Sequence, residues 1–587
     1  MTLPAPPAPF ILLDDARIAG AAEARLYRDP VEIVTADRPE AVAGALAALC
    51  AGTARGLHAA GFLSYEAGHA LEPRLAPLAA PGALPLLWFG LFEGFTAIAP
   101  DAVPAWLPDP AGAWAGQPRP GIDRADYGAA IRAVLDAIAA GDIYQANLTF
   151  RSAVAVAGAP AALYAGLRAR ARAGYGALIS TGRDWLLSLS PELFFSLRDG
   201  QLSTKPMKGT ATRGKDDAAA VSRLREDPKQ RAENLMIVDL LRNDLSRIAV
   251  PGSVAVPELF TVETYPTVHQ MISRVTAQIA PGRDAVDALC ALFPCGSITG
   301  APKIRATEII AQVEPDRRGI YTGAIGRLDP GGDAAFNVAI RTLHLPMGET
   351  VATIGLGSGI VADSKEEDEW RECLAKGKFV ASSPPEFDLI ETMAFDPIEG
   401  LLLLDRHLAR MGASAARFDF RFDRHEARNE LQAATFRLRA PSRVRLLASR
   451  GGHFAIEVRP APERPDMPVS VALAPLPVAP GDFRLAHKTT DRAFYDRARH
   501  AAGTFEVAFV APDGGLNEGS FTNIFVERDG RLLTPPLSRG LLPGILRAEL
   551  IASGRAVEAE LTAADLGEAF LVGNAVRGLL PARLVQL

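Results

Sequence analysis

The sequence predicts an α+β protein whose helices and sheets stack in layers and divide between two modules. Three observations carry this reading. The chain has 587 residues, more than one hydrophobic core organises. Helical periodicities and β-like runs mix without a regular βαβ repeat, which argues against a doubly wound sheet. Composition then breaks at residues 381–386, Ala-Ser-Ser-Pro-Pro-Glu, where the Pro-Pro pair favours an extended linker. The expected division is 1–120 as the N-terminal part of a first scaffold, 121–380 as its catalytic part, 381–386 as linker, and 387–587 as a second domain.

Composition narrows the function classes. Hydrophobic residues make up 48% and charged residues 22%, and the formal net charge is −6. With no basic surplus to neutralise a phosphate backbone, no nucleic acid partner is expected. The four cysteines (Cys50, Cys290, Cys295, Cys373) lack metal-type spacing and read as reduced thiols. Met1–Pro7 lacks a basic, then apolar, signal pattern, and the apolar stretch around Leu84–Phe92 is interrupted by Pro85 and Gly90. A cytoplasmic protein with no membrane segment is the expectation.

Along the chain, residues 105–121 are rich in Pro, Ala and Gly and read as a surface connection. Tyr127–Ala140 and Pro160–Ala173 carry helical patterning, while Trp185–Ser190, Ala334–Leu345 and Thr350–Leu356 read as strands. Asp227 is a good N-cap and Pro228 fits the first helical position. The helix that follows carries Glu233 among apolar residues. Lys365–Glu372 reads as another helix, with Glu369 and Glu372 three apart on one face. Such acids are ordinarily solvated. Facing one another across two helices, they suit a hard divalent cation such as Mg2+.

Two glycine-rich stretches, Gly296–Lys303 and Gly355–Val361, offer backbone N–H groups to a carboxylate. Neither has the P-loop spacing, so nucleotide binding is not expected. Arg341 is a cation in an apolar run; such an arginine is usually paired, and a substrate carboxylate is one partner it suits.

Pro206-Met207-Lys208-Gly209-Thr210, Glu233–Asp239, Gly296–Lys303 and Gly355–Glu372 together resemble the chorismate-utilising family, over roughly Asp142 to Lys378. The resemblance implies that Glu233, Glu369 and Glu372 bind the magnesium that holds the ring carboxylate of chorismate. Tyr321 and Arg341 contact the substrate, and Thr299, Gly300 and Gly357 line its pocket. Lys208 stands where the branch that makes 4-amino-4-deoxychorismate has its nucleophile, which attacks C2 as the 4-hydroxyl leaves. Glu192 matches the general acid/base position. Gln270 falls where anthranilate synthases have an assisting histidine, and the role of His269 is open. No Gly-x-Cys-x-Gly turn is present, which implies a separate glutamine amidotransferase subunit as the ammonia source. The first ~120 residues, with Gly61–Glu66, resemble the family's N-terminal half and are expected to complete its sheets.

From Phe387 the sequence changes character. Gly400–Met411 passes from strand to helix and carries His407 and Arg410. His487-Lys488-Thr489, Leu516–Phe525 with Glu518, and a Pro543-Gly544 turn before a helix follow in order. A lysine, a remote carboxylate, an arginine and a helix N-terminus are the parts of a pyridoxal phosphate site. Their order resembles the fold-type IV, branched-chain aminotransferase-like family. By that resemblance Lys488 is the Schiff-base lysine and Glu518 the partner of the pyridine nitrogen. Arg410, Ile545 and Leu546 hold the phosphate, and Arg577 contacts substrate. The implied chain of reactions runs from chorismate through 4-amino-4-deoxychorismate to 4-aminobenzoate and pyruvate, toward folate. The alternative is an isochorismate, salicylate or anthranilate synthase joined to a class IV aminotransferase or to a non-catalytic scaffold of that shape.

Overall fold

The computed structural model describes residues 8–214, 216–264, 268–382 and 386–585. The Met1–Pro7 segment and the Pro384-Pro385 pair of the expected linker lie outside the described residues.

In the first module two antiparallel sheets stack face to face. One runs through Gln145–Ala157, Val351–Ile360, Thr342–Pro346, Asp184–Ser190 and Tyr175–Ser180 to Phe10–Asp14 and Ala24–Arg28. The other runs from Met207–Thr212 through Val268–Gln278, Gln201–Lys205, Leu193–Arg198, Ala334–Val338 and Ala324–Leu328 to His58–Leu63 and Leu87–Phe92. Strands from the first 120 residues therefore lie within both sheets. Ile11, Tyr27, Phe62, Phe92, Ile179 and Leu186 form the layer between them.

Helices cover the outer faces. Pro39–Ala54, Pro228–Ser246 and Ala285–Leu292 bury Leu46, Leu241 and Leu289 against Phe89 and Phe336 of the second sheet. Arg124–Ala139, Pro160–Ala171 and Lys303–Val313 bury Ile131, Leu167 and Ile309 against Phe150 and Leu187 of the first. Alternating faces explain this four-layer arrangement: each strand buries one side in the sandwich and the other under a helix.

Two expectations are corrected. The apolar run Ala334–Leu345 is not one strand. It breaks after Val338, crosses from one sheet to the other, and resumes at Thr342, with Arg341 at a φ of 51° in the crossing. Residues 105–121 are not a plain surface connection. Trp114–Ala115 and Arg119–Pro120 pair with the strand Gln145–Ala157, and Trp114 is buried. Paired backbone let this Pro/Gly-rich stretch carry a large ring inward.

The second module has two sheets. Leu389–Asp396, Ser442–Ala448 and Phe454–Pro460 pair antiparallel, covered by the helices Leu404–Phe418 and Arg424–Thr435. A mixed sheet follows, in which Val469–Pro475 runs parallel to both Glu506–Val510 and Gly578–Leu584. The first of these cores is shared: Trp114 and Ala157 of the first module pack with Met393, Phe418 and Phe483 of the second. Among the described residues, no helix is long and apolar enough to cross a membrane.

Candidate active sites

The first site is built where the chain changes sheets. Asp184–Ser190 lies in one sheet and Leu193–Arg198 in the other, so Glu192 stands in the crossing between them. The crossing that holds Arg341 runs beside it: Leu189 N–H donates to the Arg341 carbonyl at 3.0 Å and Val338 N–H to the Glu192 carbonyl at 3.1 Å. The Glu192 side chain is buried and accepts a 2.8 Å hydrogen bond from Ser297 of the Gly296–Lys303 loop. Burial pushes its carboxyl up to about 6, against the pull of the Ser297 hydroxyl and the charge on Lys208.

Lys208 lies on a bulge of the strand Met207–Thr212, whose register against Val268–Gln278 shifts between Met207 and Thr210. A φ of 93° at Gly209 makes the bulge, a conformation open to glycine. The Gln270 amide donates to the Gly209 carbonyl at 2.9 Å and pins it. His269, whose role was open, pairs with Asp217 at 3.2 Å and Thr264 at 3.0 Å, so it ties a helix to this strand. The lysine amine arrives over Gly359; a Cβ there would stand 3.4 Å from Nζ. Burial first, then Lys376, lower the Lys208 ammonium below its ordinary value, against Glu192, Glu233 and Glu372. The sequence alone did not single out Ser297 or Lys376. Both come from segments far from Lys208 in the chain.

The three acids expected to hold magnesium are half-buried or exposed. Asp227 caps its helix by accepting from Lys229 N and Gln230 N at 2.8 and 3.0 Å, which fixes the start of the helix that carries Glu233 in its second turn. Burial raises the Glu233 carboxyl, aided by the charges of Asp363 and Glu369 and opposed by Lys208 and Lys229. Glu369 accepts from Ser364 at 2.7 Å, and Glu372 pairs with Lys376 at 2.8 Å. Among the described residues, no three His, Cys, Asp or Glu side chains already form a cation cluster. The acids still fit a cation: like charges near Glu233 are what bound Mg2+ relieves.

The remaining expected contacts frame this pocket. Tyr321 is buried with its ring flat over Gly355, where a Cβ would come within 2.1 Å of Cγ. Thr299 is buried, its hydroxyl on the Cys295 carbonyl at 2.8 Å and its own carbonyl accepting from Asn147 N–H at 2.9 Å. Gly300 pairs with Ala146, and the Gly357 carbonyl accepts from Lys376 at 2.9 Å. The Arg341 guanidinium stands 5.8 Å from the Phe379 ring centroid.

In the second module, Arg410 reaches the turn before the helix Ile545–Ala552, donating to the Pro543 carbonyl at 2.9 Å. That places it beside the backbone of Ile545 and Leu546. It also grips the buried Glu391 with two bonds of 2.8 and 2.7 Å, and His407 Nδ1 bonds the same carboxylate at 2.6 Å. Burial opposes ionisation of Glu391, but Arg410 and His407 together hold it well below the ordinary carboxylate range. The imidazole of His407, lowered by burial, is then the Nδ1–H donor. Sequence reasoning did not single out Glu391, which the structure shows holding both Arg410 and His407.

Lys488 is half-buried, its ammonium lowered to about 7 by burial and the nearby arginines Arg410, Arg492 and Arg445, with Glu391 opposing. Glu518 is buried, accepting from the Tyr495 hydroxyl at 2.6 Å and from Leu542 N–H at 3.2 Å. Burial pushes it up to about 7, with Arg492 pulling it down. The arginine–helix end, the amine and the buried acid are the donor set a pyridoxal phosphate needs. Arg577 donates to the Glu463 carbonyl at 2.8 Å and lies near the Phe505 ring.

Comparison with known proteins agrees with both halves. The profile of the chorismate binding enzyme family matches residues 14–382, and that of amino-transferase class IV matches 388–585. Aminodeoxychorismate synthase component 1 of Klebsiella aerogenes is 45% identical over 261 residues, 44% of this chain and 57% of that protein. The 2-amino-4-deoxychorismate synthase of Streptomyces globisporus is 41% identical over 298 residues, 49% of this chain and 59% of that protein. The match thus spans under two thirds of these relatives' own length. The crystal structure of anthranilate synthase component I from Streptococcus pneumoniae superposes with a TM-score of 0.52 at 27% identity, covering 65% of this chain and 94% of that one. The chain belongs to the chorismate binding enzyme family and carries an amino-transferase class IV domain behind the chorismate-binding one.

Proposed function

We propose that the first module aminates chorismate at C4 and that the second converts the product to 4-aminobenzoate and pyruvate. The observation that carries the first step is that Lys208 and Glu192 are buried close enough for the charge of each to act on the other. Burial lowers the Lys208 ammonium below its ordinary value, and Glu192 has a carboxyl raised to about 6. The neutral amine adds at C2 while Glu192 protonates the departing 4-hydroxyl. Ammonia then bonds to C4 and the C2–lysine bond breaks, so chorismate and ammonia give 4-amino-4-deoxychorismate and water. Glu233, Glu369 and Glu372 would hold magnesium, which supplies charge to fix the ring carboxylate. The names of the Klebsiella and Streptomyces relatives support amination, and "component 1" supports a separate ammonia-supplying subunit.

In the second module Arg410 with Ile545 and Leu546 would bind the phosphate of pyridoxal phosphate, Glu518 would meet its ring nitrogen, and Lys488 would move the C4 proton of the substrate. When bound, the cofactor serves as the electron sink for that proton's removal. The domain division at 381–386, cytoplasmic residence and the role in folate synthesis belong to the same reading.

The test is product analysis with chorismate, ammonium, magnesium and pyridoxal phosphate. 4-Aminobenzoate is expected, and Lys208→Ala is expected to abolish it. Isochorismate, salicylate or a 2-amino product would overturn the C4 assignment. Accumulated 4-amino-4-deoxychorismate with the cofactor bound would overturn the lyase step.

A further inference from the structure

The lysine of the second module is braced from the first. Trp114 sits on the edge pair Trp114–Ala115 and meets Phe418 edge-on, ring centroids 5.4 Å apart at 75°. Phe418 ends the helix Leu404–Phe418 and meets the His487 imidazole at 4.7 Å and 74°. His487 immediately precedes Lys488. Arg417, the residue before Phe418 on that helix, donates to the carbonyls of Val156 at 3.2 Å and Thr350 at 3.0 Å, both in the first module. Ser414, one turn back, bonds His487 Nδ1 at 2.9 Å. On the far side, Ile390 N–H donates to the Lys488 carbonyl at 3.0 Å, so the segment is clamped between helix and strand. Burial, then the charge on Arg417, keep the imidazole of His487 neutral by lowering it to about 4.

Rings in direct contact pass a displacement from one to the next, here from Trp114 to Phe418 and from Phe418 to His487. We propose that Trp114 is a positioning residue for Lys488: a side chain of the chorismate-binding half sets, through Phe418 and His487, where the second module's lysine stands. This rests on Lys488 being the lysine that takes pyridoxal phosphate. It makes the class IV domain dependent on the chorismate-binding domain for the geometry of its own site, although none of its expected cofactor contacts comes from that domain.

The experiment uses the full chain. Wild type, Trp114→Ala and Trp114→Phe are titrated with pyridoxal phosphate, and the visible absorbance of the bound cofactor is followed against pH. Amination of chorismate with ammonium reports separately that the first module is folded. Losing one edge-to-face ring contact should weaken cofactor binding about two- to tenfold and move the pH midpoint of the absorbance. Trp114→Phe should restore both, and amination should be unchanged in all three. If Trp114→Ala does not aminate chorismate, Phe418→Leu carries the same titration. A variant that binds and titrates like wild type overturns the relay alone. A wild-type chain that binds no pyridoxal phosphate overturns the cofactor reading and the relay together.

Discussion

Ser297 donates its hydroxyl to Glu192 at 2.8 Å inside a pocket closed to solvent at that point. The bond favours the carboxylate, so it works against the burial that raises Glu192 to about 6. Ser297→Ala should raise the Glu192 pKa by about one unit, the scale of one hydrogen bond to a charged group. The acid form then persists to higher pH. The falling limb of the kcat–pH profile for chorismate amination should move upward, and a limb that stays in place would remove Glu192 as the proton donor.

Lys376 acts on Lys208 through charge. It is the second cause, after burial, of the lowered Lys208 ammonium, and it neutralises Glu372 at 2.8 Å. Lys376→Met removes one repelling cation and frees one attracting acid, and both changes raise the Lys208 pKa. Less neutral amine is then present at neutral pH. Amination at pH 7 should fall several-fold and recover in more alkaline buffer, visible as an upward shift of the rising limb of kcat.

Magnesium binding should release protons. Glu233 holds its proton above the ordinary range because of burial and nearby Asp363 and Glu369. A cation there must displace that proton. Calorimetry in buffers of different ionisation enthalpy should detect the release in mildly acidic solution. Glu233→Gln should abolish it and raise the magnesium needed for half-maximal amination by about tenfold or more.

The second module should be acid-sensitive through Glu391. Its folded pKa is depressed below the unfolded one, so its stabilising contribution is complete above about 4.3, the ordinary glutamate value. That contribution is lost as pH falls from there toward the folded value. Glu391→Gln strands the charge of Arg410 in a nearly buried site and should cost about 3–5 kcal/mol, the range for breaking a buried pair by removing one partner. Urea unfolding followed by a second-module probe would measure it, and a loss under 1 kcal/mol would contradict the pairing.

Local chemistry was legible in the sequence where it acts over one helical turn. Asp227 and Pro228 start the helix as their cap preferences require, and Glu369 and Glu372 share the helix Glu366–Gly377. The sheet crossing after Val338 was not legible, because β-like residues continue through it and only the sheet partners reveal the switch. Trp114 was hidden by the Pro, Ala and Gly around it: composition reports average exposure, whereas one edge pairing buries one ring. Ser297, Lys376 and Glu391 were each in view as residues. Their partners lie 105, 4 and 19 positions away, and of these only the four-residue spacing on a helix is a pattern that sequence can show.

The paired crossings at Glu192 and Arg341 carry an evolutionary consequence. A strand that stays in one sheet tolerates insertions at its ends, where a loop absorbs them. A segment that changes sheets has fixed partners on both sides of the change, Leu189 and Leu193 at the first crossing, Val338 and Thr342 at the second. One added residue in either crossing would turn every following side chain to the opposite face. Length variation among kindred proteins should therefore be absent from both joints, 191–192 and 339–341, and should collect instead at outer turns such as 329–333.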